Sequence, residues 1–203
     1  MQRFGLYGGS FDPIHLGHIR LIEQLLQLKL VDEVCFMPAA IPPHKQHKEL
    51  VDSKTRLEMI QLVISNQPHM TVSNYEIANE GISYTYKTLV HLRDQFPNKK
   101  IVFIMGSDSL WYFHKWFNFK NIINEFEVLI YQRPDPDGNQ LEDILEYYTE
   151  KEFEKIQRSL VQAKLFDVSS TKVREAILNR QSIHELVPKR VEDFIIQQQL
   201  YLP

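Results

Sequence analysis

The sequence of 203 residues contains a single cysteine, so no intramolecular disulfide can form and we expect Cys35 to be a buried thiol. No apolar run approaches the roughly 20 residues that a membrane helix needs. The N-terminal stretch MQRFGLYGGS lacks the apolar core of a signal peptide. The formal net charge of -3 shows no basic excess, which argues against a nucleic-acid-binding surface. We therefore expect a cytoplasmic protein with no membrane or nucleic-acid partner.

The apolar pattern that is present alternates short continuous runs with longer segments of helical period, and this predicts an α/β fold. Strands are predicted at about residues 2–7, 33–38, 70–77, 99–108, 126–133 and 164–168. Helices are predicted at about residues 14–30, 52–65, 83–96, 169–177 and 188–200. Strand, helix and strand in series imply parallel pairing, so we expect a doubly wound, mostly parallel sheet with ligands beyond the carboxyl ends of its strands.

The length suits one domain over residues 1–203. Within it, the segment at about 134–163 begins with the turn-forming letters PDPDGN and continues as a highly charged helical stretch. This composition predicts an insertion of one or two surface helices, and a solvated connector is the favoured interpretation.

A loop rich in glycine, GGSFDPIHLGH, follows the first predicted strand and precedes the first helix. At such a junction, backbone N–H groups and the helix dipole form an anion site, and adjacent glycines would let the backbone approach a phosphate closely. The loop carries neither the G-x-G-x-x-G fingerprint of dinucleotide binding nor a P-loop, which disfavours a dehydrogenase.

His15 and His18 are predicted to lie on one face of the helix that follows this loop, where both could reach one anion. Gly17 between them suggests that a bulky flat group lies against the helix there. A metal site, with His44 and His47 as further ligands, is an alternative interpretation. That alternative is weakened because no acid stands between the first two histidines to act as a base, and no structural metal is predicted.

A second strand-to-helix junction near the C-terminus reads SSTKVRE. The hydroxyls of Ser169, Ser170 and Thr171 could cap the helix or donate to a phosphate, and Arg174 supplies a forked donor one turn later. A plain helix cap with a surface arginine is the alternative. In a doubly wound sheet the two junctions could converge over one sheet edge, which would suit a polyphosphate ligand.

Together, GGSFDPIHLGH and SSTKVRE resemble the nucleotidylyltransferase superfamily, whose marks are an H-x-G-H loop and an S-S-T-x-[IV]-R segment. The stretches IPPHK, SYTYKTL, FIMGSDSLWYFHKW and YQRP are similar to the bacterial nicotinate-mononucleotide adenylyltransferases. The resemblance covers nearly the whole chain apart from about 134–163. It implies a Rossmann-like fold and adenylyl transfer from ATP to nicotinate mononucleotide, with Mg²⁺, giving deamido-NAD and pyrophosphate for NAD biosynthesis.

The resemblance also implies roles for particular residues. His15, His18 and Arg174 would be the catalytic residues, with His18 stabilising the charge on the α-phosphate. The other ATP-contacting positions implied are Gly9, Ser10, Phe11, Gly106, Asp108, Arg133, Ser170 and Thr171. The implied mononucleotide-binding positions are Lys45, Thr85, Tyr112 and Trp116. Trp116 could stack on a pyridinium ring, or it could be an ordinary core aromatic.

These roles agree with the chemistry, because the attacking phosphate oxygen is already ionised and no side chain has to remove a proton. The sequence accordingly offers no evident pair of nucleophile and base. Lys87 stands where the family commonly has Asp, which puts any contact made by that acid in doubt. Two alternatives remain open: pantetheine-phosphate adenylyltransferase, and a non-catalytic nucleotide-binding regulator of the same fold. A homo-oligomer is compatible with the sequence.

Overall fold

The computed structural model describes residues 1–41, 50–79, 81–133, 138–164 and 166–202. Its strands form one six-stranded sheet in the order β3-β2-β1-β4-β5-β6, and every neighbouring pair is parallel. The strands are β1 (Gln2–Gly9), β2 (Glu33–Pro38), β3 (Met70–Val72), β4 (Lys99–Gly106), β5 (Glu127–Tyr131) and β6 (Leu160–Val161). The predicted doubly wound parallel sheet is therefore confirmed.

The helices connect these strands. The described α-helices are α1 (Leu16–Gln27), α2 (Ser53–Ile64), α3 (Tyr75–Ala78), α4 (Thr85–Gln95), α5 (Ser107–Phe113), α6 (Phe119–Glu125), α7 (Glu150–Ser159), α8 (Ser170–Leu178) and α9 (Lys189–Gln197). A 3₁₀ helix at Leu141–Tyr147 precedes α7. Asp52 caps α2 by accepting from the N–H groups of Lys54 and Thr55, and Ser169 caps α8 by accepting from Lys172 N–H.

Two apolar cores lie on opposite faces of the sheet. In β1, Phe4 and Leu6 belong to one core, whereas Tyr7 belongs to the other, because successive side chains of a strand point to opposite faces. Buried side chains of α1, α2, α8 and α9 fill the core that contains Tyr7. Those of α4 to α7 fill the other.

The strand predicted over 70–77 was too long. Only Met70–Val72 pairs with β2, and the short helix α3 follows. The ladder ends because the Ser73 hydroxyl accepts a hydrogen bond from Tyr75 N–H, at 3.2 Å. A serine side chain that bonds to nearby backbone in this way favours a turn over a strand.

The prediction of a strand over 164–168 was wrong, because the residues of that range that the structure describes form no strand. The sixth strand is instead Leu160–Val161, which pairs with β5. At Lys164 the side chain of Gln24 takes the place of a partner strand: its amide accepts from Lys164 N–H at 2.8 Å and donates to Lys164 C=O at 3.0 Å. The backbone is therefore satisfied without a ladder.

The segment predicted as an insertion at about 134–163 forms the 3₁₀ helix and α7 in its described part. The expected helices are present, but they are not a solvated connector. Ile144, Phe153 and Ile156 are buried in the same core as β4 and β5. A ring stack of His114 on Tyr147, with centroids 3.7 Å apart, joins the 3₁₀ helix to the segment after α5.

The strand order places the topological switch point between β1 and β4. From this point the chain winds outward through β2 and β3 on one side and through β5 and β6 on the other. Connections leaving in opposite directions open a crevice at the carboxyl ends of the two central strands. The loop after β1 and the N-terminus of α5, directly after β4, both lie at this edge.

Among the described residues, no helix is long and apolar enough to cross a membrane. Cys35 is buried in β2, as expected, and burial raises the pKa of its thiol to about 11. The thiol is therefore protonated at neutral pH and is a packing group rather than a nucleophile.

If the 134–163 segment completes the core, Phe153→Ala should lower the free energy of unfolding by about 3 kcal/mol, because it removes a buried ring. Urea denaturation measures this loss. Arg158→Ala is the matched control on the same helix, since its side chain is 79% exposed, and its effect should stay within about 0.5 kcal/mol. Equal effects of the two substitutions would mean that α7 is a solvated connector.

Candidate active site

A cavity of about 340 Å³ opens at the carboxyl ends of β1, β4 and β5. It brings together residues that are far apart in the chain. The described lining residues are Tyr7, Gly8, Gly9, Ser10, Phe11, His15, His18, Leu50, Phe103, Ile104, Met105, Gly106, Asp108, Ser109, Trp116, Tyr131, Arg133, Val168, Ser169, Ser170, Thr171 and Arg174. The cavity therefore lies where the fold places ligands, beyond the carboxyl ends of parallel strands.

The loop after β1 folds back on itself. Gly8 and Gly9 belong to β1 and have no positive φ, whereas Phe11 has a φ of 47°. A Cβ at Gly9 would lie 3.2 Å from the Phe11 ring. Glycine at position 9 thus allows the Phe11 side chain to pack over the strand end, and the unusual backbone angle falls on Phe11 rather than on the glycines.

The two histidines form a stacked pair at the start of α1. Their ring centroids are 3.6 Å apart, and His15 N–H donates to His18 Nδ1 at 3.2 Å. This acceptor role of Nδ1 leaves the proton of a neutral His18 on Nε2. The predicted placement on one face is confirmed, although His15 caps the helix instead of lying within its first turn.

His15 is buried, with only 4% of its surface exposed. Burial lowers the pKa of its imidazole to about 3, and the positive charge of Arg133 acts in the same direction. The ring is therefore neutral at physiological pH. His15 can offer a hydrogen bond and a stacking surface to an anion, but it cannot offer a charge.

Gly17 is explained by the His15 ring. A Cβ at position 17 would lie 3.0 Å from His15 Nδ1 and 3.3 Å from the Val168 carbonyl oxygen. The flat group predicted to lie against the helix is thus the imidazole of His15 itself. A larger residue would push apart the helix and the chain entering α8.

The loop between β1 and α1 is bonded directly to the first turn of α8, although no strand leads into α8 in the described part of the chain. Ser170 Oγ donates to the Pro13 carbonyl at 2.9 Å, and Arg174 Nη1 donates to the Asp12 carbonyl at 2.6 Å. Arg174 also lies 3.9 Å from the buried Asp12 carboxylate. Because His15, His18, Ser170, Thr171 and Arg174 all line the cavity, the predicted convergence over one sheet edge is observed.

A second chain of polar contacts crosses the cavity wall from β5 to α5. Arg133 donates to Asp108 Oδ2 at 3.0 Å and to Tyr131 Oη at 2.6 Å. Tyr131 in turn lies 3.4 Å from the hydroxyl of Tyr7. Burial raises the pKa of both phenols, so they remain protonated donors.

Gly106 is required where this chain of contacts passes the end of β4. A Cβ there would clash with Asp108 Oδ1 and would lie 3.1 Å from Arg133 Nε. The glycine of the GSD stretch therefore lets an acid and an arginine meet over the strand end. Their ion pair is partly exposed, so it contributes to orientation more than to stability.

Two predicted substrate positions are not brought to the cavity. Thr85 lies at the start of α4 and Tyr112 is an exposed residue of α5, and neither lines the cavity. Lys45 lies outside the described residues. Trp116 does line the cavity, and it also packs against the ring of Phe113, with centroids 5.3 Å apart.

Lys87, the departure from the usual pattern, also lies away from the cavity lining. Its ammonium group is 5.3 Å from the centroid of the Tyr84 ring and 5.8 Å from that of Phe117. These distances fit a cation–π contact. The lysine therefore has a local structural role at the start of α4.

Sequence reasoning missed four polar residues of the site and its support: Tyr7, Tyr131, Asp12 and Arg56. The two tyrosines lie near the carboxyl ends of β1 and β5, and their strand position was the available signal. The burial of Arg56 could also have been inferred from its position in the sequence. Arg56 shares the apolar stripe of α2 with Met59 and Ile60, at spacings of three and four residues.

The family model described as cytidylyltransferase-like matches residues 6–176 of this chain. The chain belongs to the cytidylyltransferase-like family. It is 34% identical to the probable nicotinate-nucleotide adenylyltransferase of Clostridium novyi (strain NT), over 99% of this chain and 100% of that relative. It is 31% identical to the nicotinate-nucleotide adenylyltransferase of Bacillus subtilis (strain 168), over 99% of each chain. The chain is accordingly an enzyme of the nucleotidyltransferase type.

Solved structures share the fold of this cytidylyltransferase-like chain. The nicotinic acid mononucleotide adenylyltransferase of Plasmodium falciparum complexed with NaAD matches with a TM-score of 0.77 and 21% identity, over 99% of this chain and 98% of that one. The same enzyme complexed with APC matches with a TM-score of 0.75 and 20% identity, with the same coverage. At this level of identity the match establishes the Rossmann-like architecture.

In this member of the cytidylyltransferase-like family, the described side chains that could bind a metal are not grouped as a metal site requires. In the described ranges, no group of three or more His, Cys, Asp or Glu side chains could hold a metal ion. His44 and His47 of the alternative metal site lie outside those ranges. Asp108 is the carboxylate among the described lining residues. Such a site fits a divalent ion that arrives with the nucleotide, as nucleotidyltransferases generally use it.

The neutral, buried state of His15 should destabilise the fold in acid. Below the ordinary histidine pKa of about 6.5, residue 15 takes up a proton in the unfolded chain. In the folded chain the same residue stays neutral until the pH falls to about 3. For this reason the free energy of unfolding should fall by about 2 kcal/mol as the pH is lowered from 6.5 to 4.5. His15→Gln should remove that share of the loss, as measured by urea denaturation at the two pH values.

His184→Gln serves as the control for removal of a histidine, since the side chain of His184 is 62% exposed. Because His184 pairs with Glu192 at the surface, this variant should retain the acid-induced loss that burial of His15 causes. The same pH dependence in His15→Gln as in the wild type would show that His15 is protonated in the folded protein.

Proposed function

We propose that this chain transfers the adenylyl group of ATP to nicotinate mononucleotide, releasing pyrophosphate and forming deamido-NAD. The reaction is a step of NAD biosynthesis. We further propose that residues 1–203 act as one nucleotidylyltransferase domain. The curated relatives over the full length of the chain bear the name of this activity, and the solved neighbours are complexes with NaAD and with APC.

The convergence of the two junctions carries the proposal. Arg174 and Ser170 bind the carbonyls of Asp12 and Pro13, so the N-termini of α1 and α8 open into one cavity. Each helix N-terminus attracts an anion through its free N–H groups and its dipole. Two of them over one sheet edge, with Arg174 beside them, suit a triphosphate better than a single phosphate.

Each lining residue then has a role in the proposal. His15, His18 and Arg174 contact the phosphates of ATP, and the backbone of Gly9, Ser10 and Phe11 approaches them. The other nucleotide contacts proposed are Gly106 and Asp108 at a ribose, Arg133 near the adenine, and Ser170 and Thr171 at the pyrophosphate. Trp116 stacks on the nicotinate ring, whose positive charge favours an aromatic partner. We assign Lys45, Thr85 and Tyr112 to the mononucleotide site from the family resemblance, although Thr85 and Tyr112 lie outside the cavity lining.

The chemistry needs positioning and charge neutralisation. A phosphate oxygen of the mononucleotide attacks the α-phosphorus of ATP; a P–O bond forms there, and the bond to the β-phosphate oxygen breaks as pyrophosphate leaves with that electron pair. The attacking oxygen is ionised at neutral pH, so no base is required. His18 Nε2–H faces the negative charge that grows on the α-phosphate, and Arg174 faces the departing pyrophosphate.

We propose Mg²⁺ as the divalent ion that accompanies ATP. Magnesium keeps several waters and is usually bound through substrate phosphates and one or two carboxylates. That preference agrees with a cavity whose described lining holds one carboxylate, Asp108. When bound, the ion neutralises charge on the phosphate oxygens.

Two other functions are less well supported. Pantetheine-phosphate adenylyltransferases share both end motifs, but the full-length relatives named above carry the nicotinate-nucleotide name. A non-catalytic nucleotide-binding regulator would need the phosphate contacts, but it would have no need of a histidine placed for the transition state. In this chain the histidine pair, Arg174 and both helix N-termini are present in the cavity.

The purified protein should release pyrophosphate when it is given ATP, Mg²⁺ and nicotinate mononucleotide, measured with a coupled phosphate assay. Parallel reactions with nicotinamide mononucleotide and with phosphopantetheine test the acceptor. We expect the acid mononucleotide to give the highest kcat/KM. Release on phosphopantetheine alone would move the assignment to the other adenylyltransferase, and no release on any acceptor would favour the regulator.

His18→Ala should lower kcat about 100-fold, because a donor aimed at charge in the transition state is lost. The Kd for ATP should change only a few-fold, since the other phosphate contacts remain. Steady-state kinetics and calorimetry give the two values. His184→Ala is the control, as its exposed side chain lies outside the cavity lining. Equal losses in kcat and in ATP affinity would contradict a role of His18 in the transition state.

A further inference from the structure

The guanidinium of Arg56 is among the most deeply buried polar groups of the described chain, although α2 lies outside the cavity lining. The residue is 1% exposed. Arginine is rarely buried so completely unless its charge is satisfied. The charges of two acids, Asp12 and Asp52, act on it, and Asp12 is itself buried and bonded to Tyr201.

The hydrogen bonds of Arg56 in the described part of the chain all go to main-chain carbonyls. Nη1 donates to Ser10 at 2.6 Å, Nη2 to Ala39 at 2.8 Å and to Ala40 at 3.3 Å, and Nε to Val51 at 2.9 Å. One side chain thus joins the loop after β1, the chain leaving β2 and the chain entering α2. Only a planar fork of donors can reach carbonyls in three segments at once.

The bond to Ser10 determines which way the next peptide points. The Ser10–Phe11 peptide is trans, so the Phe11 N–H is antiparallel to the Ser10 carbonyl. Ser10 and Phe11 line the cavity, whereas Arg56 does not. The Ser10 carbonyl therefore faces Arg56, and the Phe11 N–H points to the opposite side of this peptide.

We propose that Arg56 is a positioning residue for adenylyl transfer, which holds the Ser10 carbonyl so that the Phe11 N–H is presented to the phosphates of ATP. This inference rests on the proposed function. The residue touches no substrate. It acts by making one backbone donor rigid in a loop whose Phe11 already has the unusual φ of 47°.

Two substitutions test the role. Arg56→Lys keeps the charge, but a single ammonium cannot bridge the four carbonyls, and Arg56→Met removes the donors while keeping a long apolar side chain. We expect each to lower kcat/KM for pyrophosphate release by about 10- to 100-fold, the loss typical of a misplaced catalytic group. The Kd for ATP should rise in both variants.

Ile60→Ala is the matched control for lost stability, because Ile60 is fully buried on the same helix and its side chain has no donor for a loop carbonyl. Arg190→Met is the control for loss of an arginine, since Arg190 bonds to Ser65 just beyond the far end of α2. All variants are assayed per folded molecule, at a temperature below every unfolding midpoint. Both controls should keep the kcat and the ATP affinity of the wild type.

The outcomes separate the two proposals. Wild-type kcat and ATP affinity in folded Arg56→Lys and Arg56→Met would overturn the positioning role, and so would an equal loss of kcat in Ile60→Ala. If Arg56→Met does not fold, the test rests on Arg56→Lys. Its kcat and its Kd for ATP are then measured on the folded fraction at low temperature. An inactive wild type would refute the proposed function instead. In that case a higher Kd for ATP in the Arg56 variants than in the wild type would still report the role of Arg56 at the nucleotide site.

Discussion

The site depends on one set of contacts, the bonds between the loop after β1 and the first turn of α8. Arg174 and Ser170 donate to the carbonyls of Asp12 and Pro13, so residues about 160 positions apart form one wall. Without these bonds, the N-termini of α1 and α8 would be two separate weak anion sites, each worth only about 0.3–1 kcal/mol. Held together, they open into one cavity, where they can act on the same anion.

The polar residues around this wall divide into those that face the ligand and those that hold them. His18, Arg133 and Arg174 line the cavity. Arg56 and Asp12 are buried nearly completely and bind main-chain groups of the loop and its neighbours. A reaction that needs no general base depends on such support, because its rate comes from the orientation of donors toward growing charge.

Much of this arrangement was predictable. The alternation of apolar runs predicted the parallel sheet, and the motifs predicted which junctions would hold the histidines and the arginine. The errors have physical causes. The Ser73 hydroxyl ends β3 early, and the Gln24 side chain takes the place of a strand partner at Lys164. The buried face of α7 was missed because its many charges conceal the apolar positions Phe153 and Ile156.

The sequence by itself determined the fold class and the choice of the two end segments that line the cavity, since both depend on local patterns: hydrophobic period, glycine placement and helix caps. Only the tertiary structure decided that His15 is neutral, that Gly17 makes room for its ring, and that Arg56 is buried against four carbonyls. These properties come from desolvation and from contacts between distant segments. Neither can be read from neighbouring letters, because both depend on which other groups the fold brings within a few ångströms.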